Sequence, residues 1–92
     1  MDSLIVTFVV HGIVQDVGYR AFVKSVAEKL ELSGAVKNCD DGSVVVVVEG
    51  GGESIRKFEK NINVSTSHGV QVMKIDRHNG SILPECSNIA MG

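Results

Sequence analysis

Residues 12–20 read Gly12-Ile13-Val14-Gln15-Asp16-Val17-Gly18-Tyr19-Arg20, and they join an apolar strand-like run to an amphipathic helix-like run. A loop in this position presents backbone N–H groups that lack intrahelical partners, and the helix dipole adds partial positive charge there. Arg20 adds a full positive charge. The stretch therefore predicts a loop that can hold an anion. A plain strand-to-helix turn, with glycine supplying positive φ, is the alternative that these residues alone leave open.

The segments on either side of this loop predict a strand and a helix. Residues 3–11 are rich in β-branched and aromatic side chains and are apolar at both parities, which is typical of a strand near the middle of a sheet. After the loop, Phe22, Val26 and Leu30 recur at four-residue intervals. This spacing predicts an amphipathic helix with one buried face.

A β-hairpin is predicted next. Residues 35–39 give a short alternating strand, and residues 43–49 contain five consecutive valines, which are too β-branched to favour a helix. Between them lies Asp40-Asp41-Gly42, and Asp-Gly readily adopts the positive φ values that hairpin turns require.

The second half of the chain predicts another helix and one or two strands. Ile55, Phe58 and Ile62 have helical spacing. Residues 70–77 read as a strand whose apolar parity shifts between Val72 and Met73, and a β-bulge would account for that shift.

A weak last strand is predicted within residues 82–90. Pro84 interrupts it, which favours a place at the sheet edge. The element order is βαββαβ with a possible added strand. It predicts an α+β fold, a ferredoxin-like sandwich with a four- to five-stranded, mainly antiparallel sheet and two helices on one face.

Composition limits the classes of function. The 92 residues suit a single domain, 1–92, and the net charge of −2 argues against a general attraction to nucleic acid or to an anionic membrane. The apolar run 4–10 is too short for a membrane span or a signal segment. We therefore expect a cytoplasmic protein, a monomer, with no nucleic-acid or membrane partner.

The cysteines and histidines do not form a recognisable metal motif. Cys39 and Cys86 are far apart, and His11, His68 and His78 have no ligand-like spacing relative to them. In a cytosolic chain this pattern favours free thiols, and it predicts no metal site.

Two motifs together carry a family resemblance. They are Gly12-x-Val14-Gln15-x-Val17-Gly18-Tyr19-Arg20 and Gly34-x-Val36-Lys37-Asn38-x-x-x-Gly42-x-Val44, closed by Gly50. In order and spacing they resemble the two motifs of acylphosphatases, and the predicted βαββαβ pattern resembles that family's fold. Asp16 and Ala35 differ from the glycine and the aromatic residue usual at those points of the family motifs.

The resemblance implies hydrolysis of acyl phosphates to carboxylate and inorganic phosphate, without metal or cofactor. It implies that Arg20 binds the phosphate and that Asn38 positions the attacking water. Backbone amides of the loop would hold the phosphoryl oxygens. The phosphate-binding residues implied in this way are Gln15, Asp16, Val17, Gly18, Tyr19 and Arg20.

Other interpretations of these residues are open at the level of sequence. Asn38 lies beside the predicted turn and could serve that turn alone. His11 could be imagined as a general base, although a histidine at a strand end is more often structural. The chain could also be a non-catalytic ferredoxin-like module that binds a phosphorylated ligand or a partner. A further comparison is the acylphosphatase-like domain of carbamoyl-transferring hydrogenase-maturation proteins, which has a similar loop.

Overall fold

Strands and helices alternate along the chain in the predicted order. The computed structural model describes residues 3–15, 18–66, 69–80 and 89–91. Its elements are β1 (Leu4–Ile13), α1 (Tyr19–Lys29), β2 (Ser33–Cys39), β3 (Val44–Gly50), α2 (Gly52–Ile62), β4 (Gln71–Asn79) and β5 (Ile89–Met91). No helix in the described ranges is long and apolar enough to cross a membrane.

The five strands form one antiparallel sheet in the order β4-β1-β3-β2-β5. β1 is an interior strand between β4 and β3, as its apolar sequence predicts. β5 lies at the edge, where it pairs with the end of β2. Residues 82–88 of the predicted last strand lie outside the described residues. The ferredoxin-like α+β architecture is confirmed, with β5 as a fifth strand.

Both helices pack on one face of the sheet because their apolar stripes meet the alternate, inward-facing residues of the strands. Ile55, Phe58 and Ile62 of α2 are each fully buried, as predicted, and the Phe58 ring lies 5.9 Å from that of Phe8 on β1. Residues from β1, β3 and both helices form one core cluster. Full burial of each such side chain contributes about 1.5–3 kcal/mol, so this core supplies the main driving force for folding.

The buried face of α1 differs in one respect from the prediction. Val26 is buried as expected, but Phe22 is 38% exposed, and Tyr19 and Val23 occupy the centre of the interface. Val23 and Val26 lie four and seven residues after Tyr19, and positions i, i+4 and i+7 share a helix face. Phe22 lies at the rim, where its ring centroid is 6.2 Å from that of Tyr19.

The predicted bulge is confirmed on β4. His11 pairs with Lys74 and Gly12 pairs with Val72, so that Met73 is the extra residue. Its side chain is 74% exposed. Gly12 at the bulge has φ +138°, and a Cβ there would overlap the carbonyl oxygen of Gln71. The first glycine of the loop motif is therefore required by the close approach of two strands.

A smaller cluster covers part of the opposite face of the sheet. It comprises Val9, Cys39 and Val45, all nearly fully buried. The prediction of free thiols is wrong for Cys39: no described cysteine is free, and Cys39 is disulfide-bonded. Cys86 lies outside the described residues. No spacing motif in the sequence signals this bond, since disulfide pairing depends on distances in the folded chain.

Candidate active site

The predicted site residues that the structure describes lie at one end of the sheet. β1 and β2 both pair antiparallel with β3, so they run in the same direction and end at the same edge. α1 begins at that edge because it follows β1 through a short loop. The anion-loop motif and Asn38 near the end of β2 are thereby brought to the same end of the molecule.

Gln15 connects the loop directly to the hairpin formed by β2 and β3. Its Nε2 donates hydrogen bonds to the carbonyl oxygen of Cys39 at 2.7 Å and to that of Ser43 at 2.9 Å. Cys39 is the residue after Asn38. The two halves of the sequence motif therefore touch through the side chain of Gln15.

The hairpin turn holds its own shape through Asp41. The Asp41 carboxylate accepts hydrogen bonds from the Ser43 hydroxyl at 2.6 Å and from the Ser43 N–H at 2.9 Å. These two bonds, the hydroxyl one foremost, hold the pKa of Asp41 below its usual range. Gly42 has φ +93°, which is the conformation predicted for the Asp-Gly turn.

The N-terminus of α1 is free of side-chain caps in the described residues. Gly18 is the N-cap and adopts a left-handed conformation with φ +79°, where a glycine is strongly favoured. With no side chain capping this end, the N–H groups of the first turn are available as donors. Asp16 and Val17, which were predicted to contribute to the loop, lie outside the described residues.

Tyr19 anchors the start of the helix. Its side chain is 1% exposed, and its hydroxyl donates a 2.8 Å hydrogen bond to the carbonyl oxygen of Ile62 at the end of α2. Burial raises the pKa of this hydroxyl, so it stays protonated at neutral pH. The side chain therefore serves the core, and only the backbone N–H of Tyr19 can serve a bound anion.

Arg20 is the second residue of α1, and its side chain is half-buried. Its guanidinium makes no hydrogen bond or ion pair with any residue in the described part of the chain. A guanidinium offers five N–H donors in a planar fork that matches a phosphate. This cation lies beside the uncapped helix terminus, where its charge adds to that of the dipole.

Asn38 lies on the face of the sheet that the helices cover. It follows the buried Val36 by two residues, and it pairs with the fully buried Val44 of β3. The Oδ1 atom of Asn38 is buried and has no hydrogen-bond partner in the described structure. Leaving a buried acceptor unpaired costs about 1–3 kcal/mol, so an unpaired Asn38 is costly unless a bound donor satisfies it.

His11 is separated from this group. It has the same parity along β1 as Val9, which belongs to the cluster on the opposite face of the sheet. Its Nε2 lies 3.1 Å from Asp76 Oδ2, and this contact, with Lys74 nearby, outweighs desolvation and lowers the pKa of Asp76. A structural role therefore explains His11, and the geometry does not favour the general-base interpretation.

Taken together, the site offers backbone N–H donors, a cationic fork and a buried amide oxygen. The first two suit a tetrahedral anion, and the third suits a small molecule that donates a hydrogen bond, such as water. The described residues contain no cluster of three or more potential metal-ligating side chains.

Comparison with known proteins identifies the family. The acylphosphatase family model matches residues 6–87. An acylphosphatase of Mannheimia succiniciproducens is 43% identical over 70 residues, which cover 76% of this chain and 73% of that protein. The chain belongs to the acylphosphatase family.

Solved structures agree with this assignment. The crystal structure of acylphosphatase from Bacillus subtilis matches 90% of this chain and 91% of its own, with a TM-score of 0.78 and 32% identity. A structure of full-length HypF, in the phosphate- and nucleotide-bound form, matches 95% of this chain but only 11% of its own, with a TM-score of 0.77 and 30% identity. The acylphosphatase fold therefore also occurs as a small part of a much longer chain.

Two functional features were missed at the level of sequence. The side chain of Gln15 reaches carbonyl groups 24 and 28 residues away, and the hydroxyl of Tyr19 reaches one 43 residues away. Both partners are backbone carbonyls, which carry no residue-specific signal. The available signal was the type of residue, an amide and a phenol within the loop motif.

Proposed function

We propose that this chain is an acylphosphatase that hydrolyses the carboxyl–phosphate bond of acyl phosphates. The observation that carries the proposal is the buried Oδ1 of Asn38 at the same end of the sheet as the guanidinium of Arg20, since neither group has a partner among the described residues. Acylphosphatases are the family to which the chain belongs, and this pair of groups suits their reaction.

Binding of the phosphoryl group is assigned to the loop and the start of α1. The backbone N–H groups of residues 15–20 and the guanidinium of Arg20 would hold the phosphoryl oxygens. Positive charge placed there before the reaction stabilises the charge that spreads over these oxygens in the transition state. The proposed phosphate-binding residues are Gln15, Asp16, Val17, Gly18, Tyr19 and Arg20.

Asn38 is assigned to the attacking water. Its Oδ1 accepts a hydrogen bond from the water, whose oxygen attacks phosphorus in line with the leaving carboxylate. The P–O bond to the carboxylate breaks, the carboxylate leaves with the electron pair, and both water protons end on the phosphate product. A carboxylate is a good leaving group, so the step requires positioning more than a strong base.

The remaining expectations about this chain are also proposals. We propose one domain over residues 1–92 that acts as a monomer on small acyl phosphates and releases inorganic phosphate. The cytoplasmic location stays a prediction, and the disulfide bond of Cys39 runs against it because disulfides are rare in that compartment.

The proposal is tested by measuring hydrolysis of acetyl phosphate by the wild type and by Asn38→Ala in the presence of a metal chelator. Wild type should turn over, and the variant should lose about a hundredfold to a thousandfold in kcat, the cost typical of one preorganised hydrogen-bonding group. Inhibition by inorganic phosphate should persist in the variant, since Asn38 is assigned to water and not to the anion.

Two other outcomes would contradict the proposal. Full activity of Asn38→Ala would contradict the role in positioning water that is assigned to the Asn38 amide. Stabilisation of the wild type by inorganic phosphate without any turnover would favour a binding module, because a ligand of the native state raises the unfolding midpoint by mass action.

A further inference from the structure

Both hydrogens of the Gln15 amide are used in contacts with the β2–β3 hairpin. The Cys39 carbonyl oxygen that accepts one of them also accepts from Gly42 N at 3.1 Å, and the Ser43 carbonyl oxygen that accepts the other also accepts from Cys39 N at 2.8 Å. A carbonyl has two lone pairs and an amide NH2 has two hydrogens, so every group in this arrangement is satisfied. The contact therefore has one well-defined geometry.

This contact sets the distance between two parts of the site that belong to different elements. Gln15 lies in the loop that precedes α1, while Cys39 directly follows Asn38 on β2. Loss of the Gln15 side-chain amide would remove the two hydrogen bonds that hold the loop against the hairpin, so that loop and hairpin could shift relative to each other. Asn38 would then move with respect to a phosphoryl group bound in the loop.

The start of α1 has an independent anchor. The Tyr19 hydroxyl bonds to Ile62 O of α2, and the Tyr19 ring lies in the core beside Val23. Arg20 and the first N–H groups of α1 therefore keep their positions when the Gln15 contact is lost. Loss of the Gln15 contact should therefore affect the positioning of water by Asn38 without affecting the binding of the anion at the start of α1.

We propose that Gln15 is a positioning residue for the hydrolytic step: its side chain fixes Asn38 at the correct distance from the bound phosphoryl group. The inference rests on the proposed acylphosphatase function and adds a role for a side chain that the family motif assigns only through its backbone. Gln15 itself does not touch the reacting atoms in this role. It acts through Cys39 on the neighbouring Asn38.

The test compares Gln15→Met, which keeps the length of the side chain and removes both donors, with wild type. kcat should fall about tenfold to a hundredfold, because displacements near 1 Å have effects of this size on rate. The inhibition constant for inorganic phosphate should change little. Gln71→Met is the matched control, since Gln71 is the chain's other glutamine and is exposed on β4. Its kcat should equal that of wild type.

A double-mutant cycle shows whether Gln15 acts through Asn38. In the Asn38→Ala background, Gln15→Met should lower kcat by a much smaller factor than it does in wild type, because the amide that Gln15 positions is already absent. An equal fold-loss of kcat in both backgrounds would overturn the inference. A loss of phosphate affinity with unchanged kcat would also overturn it. Activity of Asn38→Ala equal to wild type would instead contradict the proposed function.

Stability is measured alongside by urea unfolding. If Gln15→Met is not folded at the assay temperature, Gln15→Asn replaces it in the same cycle. This variant keeps the amide but is one methylene shorter, so it should show a smaller loss of kcat that again disappears in the Asn38→Ala background. A normal kcat in folded Gln15→Asn and folded Gln15→Met would overturn the inference.

Discussion

Three side chains at the end of the sheet provide three different groups: a positive charge, an amide donor and an amide acceptor. Arg20 offers a cation without a described partner, and Gln15 donates two hydrogen bonds to the hairpin. Asn38 holds a buried acceptor that has no donor among the residues that the structure describes. Both N–H donors of the Gln15 amide have partners within the protein. The other two are available to a ligand, and their chemistry is complementary to a phosphoryl group and a water.

Asp41 makes a pH-dependent contribution to the hairpin next to the site. Its pKa is lowered in the folded state, so its stabilising effect is present above the unfolded value of about 3.9 and is lost as pH falls through the lower folded value. Asp41→Asn should therefore be less stable than wild type at pH 7, and the difference in free energy of unfolding between the two should narrow below about pH 4. Urea unfolding midpoints at several pH values measure this difference.

Glu49→Gln is a suitable control for that series, because Glu49 is an exposed carboxylate near the end of β3 that lies away from the hairpin turn. The difference in unfolding free energy between wild type and Asp41→Asn should change with pH. If it stays constant, the Ser43 hydrogen bonds do not depend on the charge of Asp41.

At the scale of elements, the β1–β4 pair depends on a glycine at its bulge. Gly12→Ala places a Cβ where the Gln71 carbonyl oxygen lies and forces alanine to adopt φ +138°. We expect a loss of at least about 2 kcal/mol in the free energy of unfolding. Gly51→Ala is the matched control, because Gly51 has φ −68° and a Cβ there meets no atom within 4 Å. Because Gly51 is the N-cap of α2, where glycine is preferred over alanine, this variant should lose no more than about 1 kcal/mol.

These two substitutions are compared by urea unfolding at one pH. Equal stability of Gly12→Ala and Gly51→Ala would contradict the close approach of β1 and β4 at the bulge. Activity of folded Gly12→Ala, measured separately, would report whether the loop that follows β1 tolerates a shift of its first residue.

Most elements could be predicted because they depend on local patterns. The valine run of β3, the Asp-Gly turn and the helical spacing of Ile55, Phe58 and Ile62 each specify a period or a turn conformation. The parity shift at Met73 even located the bulge. The exposure of Phe22 was not predictable from spacing alone, since the rotation of α1 is set by Tyr19 packing against the end of α2.

At the scale of the whole molecule, the site is produced by strand order. Two strands that flank β3 must end at the same edge, and the loop after one of them then faces the hairpin at the end of the other. The sequence motifs predict a set of site residues, but the distances between these residues depend on contacts between positions 24 to 43 residues apart. The disulfide bond of Cys39 was missed for the same reason.

The most direct test of the function is the turnover of acetyl phosphate by Arg20→Ala. Loss of this cation should lower kcat/KM about a thousandfold, the upper end of the range for one preorganised electrostatic group, and it should weaken inhibition by inorganic phosphate. Arg56→Ala removes the same charge from an exposed position on α2 and should behave as wild type. Hydrolysis by Arg20→Ala at the wild-type rate, or wild type without any hydrolysis, would contradict the assignment.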